Sequence, residues 1–226
     1  MSATPPQVDL YVYPTVINLS SMNANQIENQ AKNIAKSIQA LNIFRSFYVI
    51  PWLYEHYSVR YSEKQVKRID QNFYDYSLGT RFRLNAPLQA PPRRLRYLIR
   101  KFFSGDVSGD IAEALFAYFL IREMGVIPYR IGHIRPEKRR GFLTPDFVVW
   151  DRLFRLASLF QRKTYPLPVL GEVKGFTGPL DPNRISHGLA QLKMLIANSA
   201  LLGILFLAAR NESRQGYDVY TVKVSA

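Results

Sequence analysis

Three residues of this chain have the types and spacing to do chemistry. Asp146 closes the triplet Thr144-Pro145-Asp146, and Glu172 and Lys174 flank Val173 in Gly171-Glu172-Val173-Lys174. Both pieces lie inside apolar, strand-like runs, Phe142 to Trp150 and Val169 to Phe176. Side chains alternate along a strand, so Glu172 and Lys174 point one way and Val173 the other. Asp146, read here as part of the adjacent strand, can reach the same point. Two carboxylates suit a hard divalent cation such as Mg²⁺ or Mn²⁺, which keeps several waters. A lysine beside them can orient the attacking water, help deprotonate it, or stabilise charge on a phosphate. The ordinary alternative is an ion pair, but charges inside a central apolar strand are costly without such a purpose.

Other candidates flank this set. Glu113, between two alanines, lies on a predicted helix ahead of the strands, with Asp110 one turn away as its substitute. Gln191 lies on the predicted helix after the third strand, beside the inward positions Leu189 and Leu192. Lys193 reads as a phosphate contact or a solvated charge, and His187 as a capping or surface histidine. Arg184 follows the Gly/Pro-rich turn of residues 175–183 and could touch phosphate there.

The positioning elements follow from periodicity. Asp9 to Leu19 reads as a strand broken near Pro14. Asn23 or Asn25 can cap a helix to about Leu41, whose stripe Ile27, Ala31, Ile34, Ile38 and Leu41 is a core or dimer face. Phe44 to Tyr54 reads as a strand and Lys64 to Tyr76 as a helix, followed by a proline-bearing connector, Asn85 to Pro92. Asp106 or Ser108 can cap a helix ending near Gly125. Strands are predicted over Val126 to His133, Phe142 to Trp150 and Val169 to Phe176, then a helix over Arg184 to Leu201. A buried strand, Gly203 to Ala209, and an edge strand, Tyr217 to Val224, complete the chain. Leu153 to Lys163 is an ambiguous insertion.

The chain has 226 residues, 47% of them hydrophobic, enough for one domain with a real core and an appended part. Its formal net charge of +13 favours phosphate-bearing partners. Single-sign runs at Arg93, Arg94, Arg96, Arg100 and Lys101, and at Lys138, Arg139 and Arg140, are candidate phosphate contacts. The absence of cysteine excludes disulfides, thiolate nucleophiles and iron–sulfur clusters, and the three histidines lack zinc spacing. No signal pattern opens the chain, so an intracellular, cytoplasmic location is expected. The apolar stretch Met194 to Ala209 is short of the roughly 20 residues a membrane span needs. It reads as a helix end turning into a strand.

The order helix, three strands, helix, strand, strand, carrying Asp146 and Glu172-Val173-Lys174, resembles the PD-(D/E)XK nuclease superfamily from about Asp106 to the carboxyl terminus. The resemblance implies a restriction-endonuclease-like αβββαβ core, a mixed sheet flanked by helices, over 91–226. Residues 1–90 would form an α/β extension for dimerisation or DNA binding. It implies Asp146 and Glu172 as Mg²⁺ ligands, with the Val173 carbonyl and Glu113 as further donors. Lys174 and Gln191 would be catalytic partners. Archaeal Holliday junction resolvases and small nucleases of archaeal viruses look most similar, which implies a homodimer cutting DNA, branched DNA included. A non-catalytic DNA-binding protein of the same fold and an RNA-processing nuclease are the alternatives.

Overall fold

A computed structural model describes residues 7–48, 105–126, 131–133, 145–149, 168–196, 202–211, 213 and 216–226. Strand β1 (Gln7–Asn18) leads to helix α1 (Ala24–Ile38) and the short strand β2 (Arg45–Tyr48). Helix α2 (Gly105–Tyr118) continues as a π-helical turn, Phe119–Glu123, ahead of strands β3 (Ile131–His133), β4 (Phe147–Val149) and β5 (Val169–Phe176). Helix α3 (Pro182–Ile196), β6 (Leu202–Asn211) and β7 (Gly216–Ser225) follow.

The described strands form one mixed sheet in the order β2-β1-β7-β6-β5-β4-β3. β3, β4 and β5 form an antiparallel meander. Helix α3 then returns the chain so that β6 runs parallel to β5. β7 turns back antiparallel to β6, and β1 runs parallel to β7. The described part of the amino-terminal segment therefore extends the same sheet rather than standing apart from it.

Alternation along β5 sets the two faces. A side chain at Gly171 would point at the Phe116 ring of α2, and Val173 joins the cluster containing Phe116, Phe119, Phe147 and Phe206. Leu170 joins the opposite cluster, with Leu189 and Leu192 of α3 and the α1 stripe. So α2 covers one face, while α1 and α3 lie side by side on the other.

Helix α1 starts where Asn23 and Gln26 cap one another's backbone N–H groups, the side-chain oxygens accepting at 2.9 and 2.7 Å. Its stripe Ile27, Ala31, Ile34 and Ile38 is buried inside the chain. It is therefore core, and cannot also serve as a dimer face. Asp106 and Ser108 fall within α2, so neither is its N-cap. The helical run ends near Gly125 as expected, where φ is +71° and a glycine costs least.

The expected edge strand over Tyr217 to Val224 is instead interior, because β1 pairs with its outer side. Met194 to Ala209 does divide between the end of α3 and β6. Among the described residues no helix is long and apolar enough to cross a membrane. The predicted helix at 64–76, the connector at 85–92 and the insertion at 153–163 lie outside the described residues.

Candidate functional site

The described part of β4 begins only at Phe147, and this creates the site. Its last pair with β5 on this side is Phe147 with Gly171. Asp146 therefore sits in the bend just before the strand rather than within it. Beyond Gly171, no described strand covers that edge of β5. Asp146 turns into the gap, where its Oδ2 accepts the Val173 N–H at 2.9 Å. Its own N–H donates to Glu172 Oε2 at 3.1 Å. The N–H and C=O of a strand residue face the same side. The Val173 carbonyl therefore also faces the gap that Asp146 enters.

Glu172 is fully buried although it carries an acid. Burial pushes its pKa well above the usual carboxylate range, the Asp146 charge pushes it further, and Lys174 draws it back. Lys174 Nζ donates to Glu172 Oε1 and, at 2.9 Å, to Gln191 Oε1. Gln191 comes from α3 and is itself 9% exposed.

Helix α3 comes this close because position 188 is glycine. A Cβ there would stand 2.7 Å from Leu205 Cδ1, 3.3 Å from Glu172 Cγ and 3.4 Å from Lys174 Cε. Sequence reasoning missed Gly188. Its signal was available: it lies one helical turn before Gln191, inside the inward stripe of Ile185, Leu189 and Leu192.

Asp146, Glu172, Val173, Lys174 and Gln191 thus converge. Two carboxylates and a main-chain carbonyl around one gap fit a small hard cation. Mg²⁺ is commonly held by one or two carboxylates plus water and phosphate oxygens. Among the described residues, no third acidic or histidine side chain closes with this pair into a larger ligand group. Glu113, half-buried, stands on α2, which packs on the sheet face opposite Glu172.

The remaining candidates scatter. The Arg184 guanidinium lies over the Phe176 ring, 5.1 Å from its centre. Lys193 donates to the Met22 carbonyl and ties α3 to the start of α1. His187 is exposed. Arg93, Arg94, Arg96, Arg100, Lys101, Lys138, Arg139 and Arg140 lie outside the described residues, as does the side chain of Asp110.

Comparison with protein-family models, curated proteins and solved structures gives no match.

Proposed function

We propose that the chain is a metal-dependent endonuclease that hydrolyses phosphodiester bonds in DNA. The observation that carries this is the meeting of Asp146, Glu172 and Lys174 in the gap where β4 stops. The order helix, three-strand meander, helix, parallel strand supports a restriction-endonuclease-like core of the PD-(D/E)XK kind around it.

Asp146, Glu172 and the Val173 carbonyl would hold Mg²⁺, with Mn²⁺ substituting. The cation, when bound, polarises a phosphoryl oxygen and makes a coordinated water easier to deprotonate. Lys174, held beside Glu172, would orient a water or offset charge that builds up on a non-bridging phosphate oxygen. Gln191 restrains the lysine from the helix side. Glu172, whose burial favours its neutral form, becomes an effective ligand only when positive charge stands beside it. The net charge of +13 suits a polyanionic substrate. A homodimer would set two such centres at fixed spacing, as branched DNA requires.

The test is cleavage of four-way junctions, flaps, single strands and linear duplex, as DNA and as RNA, with Mg²⁺ or Mn²⁺. Cutting is expected from the wild type, about a thousandfold less from Asp146→Ala, and none in excess chelator. The Glu172→Gln/Lys174→Met double variant, which leaves no buried charge unpaired, is also expected to be inactive. Full activity in these variants or in chelator would sink the proposal. Binding without cleavage would favour a nuclease-like fold used only to bind.

A further inference from the structure

The face that carries Glu172 and Lys174 continues across the sheet into a row of aromatic rings. Lys174 is in register with Leu207 of β6, Leu207 with Tyr220 of β7, and Tyr220 with Tyr11 of β1. Laterally paired residues share a face, so all four stand on the same side. Tyr11 and Tyr220 stack with ring centres 4.8 Å apart and planes 23° apart, and both are partly exposed. Phe44, whose N–H donates to the Leu10 carbonyl beside Tyr11, is 60% exposed. At a strand spacing of about 4.8 Å, Tyr220 lies roughly 10 Å from Lys174 and Tyr11 roughly 14 Å. That is the length of about three or four stacked nucleotides at 3.4 Å each.

The next row of the same face carries Asp218 and Asp9, again in register. Asp218 accepts from Asn211 Nδ2 at 2.8 Å and from the Tyr11 hydroxyl. Asp9 accepts from Ser46 Oγ at 2.6 Å and Gln7 Nε2 at 2.9 Å. Two carboxylates bordering the rings repel phosphate. What can rest on the tyrosines beside them is the uncharged, flat part of a nucleotide.

We infer that the Tyr11–Tyr220 pair is a stacking platform for an unpaired nucleobase of the strand being cut, a few nucleotides from the scissile phosphate. This rests on the hydrolase reading and gives it a substrate class: nucleic acid with an unpaired segment beside the cut. Paired bases in a duplex keep their faces to one another and cannot use the platform, so duplex gains nothing from it.

The experiment measures binding in chelator, where nothing is cut, by fluorescence anisotropy. The probes are labelled homopyrimidine DNA, homopyrimidine RNA and a DNA duplex. Tyr11→Phe keeps the ring, whereas Tyr11→Leu keeps apolar bulk without it. The Leu variant is expected to bind single strands about tenfold more weakly, with duplex affinity unchanged and the Phe variant near wild type. The DNA and RNA arms show which sugar the strand carries. Unchanged single-strand affinity in Tyr11→Leu, or an equal loss on duplex, would overturn the inference. Ring-dependent binding by a protein that never cuts with any divalent metal would overturn the hydrolase reading alone. Cleavage by a protein whose single-strand affinity ignores the ring would overturn the platform alone.

Discussion

The two faces of β5 are built from alternate residues of one eight-residue strand and do opposite things. Toward α2 the strand offers Val169, Gly171 and Val173 to a set of rings. There Phe116 meets Phe147 and Phe206 with centres 5.2 and 5.1 Å apart. Toward α3 it offers Leu170, Glu172 and Lys174, and the helix above supplies a glycine and a glutamine. The first face needs only volume and shape, which dispersion and burial reward without specifying chemistry. The second buries a carboxylate and most of a lysine, at a desolvation cost that their mutual attraction at best offsets. A fold that wanted only stability would repeat the first face on both sides.

This contrast can be broken from either side. The largest effect expected is on the charged face, where Asp146→Ala should lower metal-dependent cleavage about a thousandfold, measured by single-turnover kinetics. On the apolar face, Phe116→Ala should cost about 3–5 kcal/mol in denaturant unfolding. Where it still folds, it should leave metal binding intact. The Glu172→Gln/Lys174→Met variant should be inactive yet as stable as wild type, or up to about 4 kcal/mol more stable. Clear destabilisation of that variant would mean that the charges serve the fold.

Gly188→Ala probes the seam between helix and charged face. The added methyl must push Leu205 or the helix aside, and should slow cleavage about 10- to 100-fold. The helix-favouring alanine limits the stability loss to roughly 1 kcal/mol.

The smallest effect concerns Lys223, a buried charge on the apolar side. It is in register with Ile204, is 4% exposed, and reaches the Pro14 carbonyl at 3.4 Å. Burial lowers its pKa below 10.5. The folded state therefore sheds this proton before the unfolded chain does. The cost of the buried charge is full below the folded pKa and is relieved as pH climbs to 10.5. Lys223→Met should be more stable than wild type at neutral pH, and the gap should close as pH rises through that window. A gap that widens would contradict the assignment.

Local pattern carried the reading of individual elements, and long-range pairing defeated it. β5 ends where its apolar run ends, and the α1 cap and stripe are as the 3.6-residue period predicts. Glu172, Lys174 and Gln191 meet because strand alternation and one helical face fix their directions. β7 looked like an edge because its alternation is genuine. What the sequence does not state is that β1, some 200 residues earlier, covers it. Helical spacing likewise cannot say which side of a sheet a helix covers, so nothing in the letters around Glu113 told it from Gln191. Asp146 fell outside its strand because the described pairing of β4 with β5 begins at Phe147, a boundary set by tertiary contacts rather than by propensity.

Metal binding tests the central claim most directly, because it needs no knowledge of the substrate. Titration calorimetry of Mn²⁺ into the purified protein should show saturable binding that is lost in Asp146→Ala and retained in Tyr11→Leu. Equal Mn²⁺ binding by wild type and Asp146→Ala, or none by either, would contradict the account.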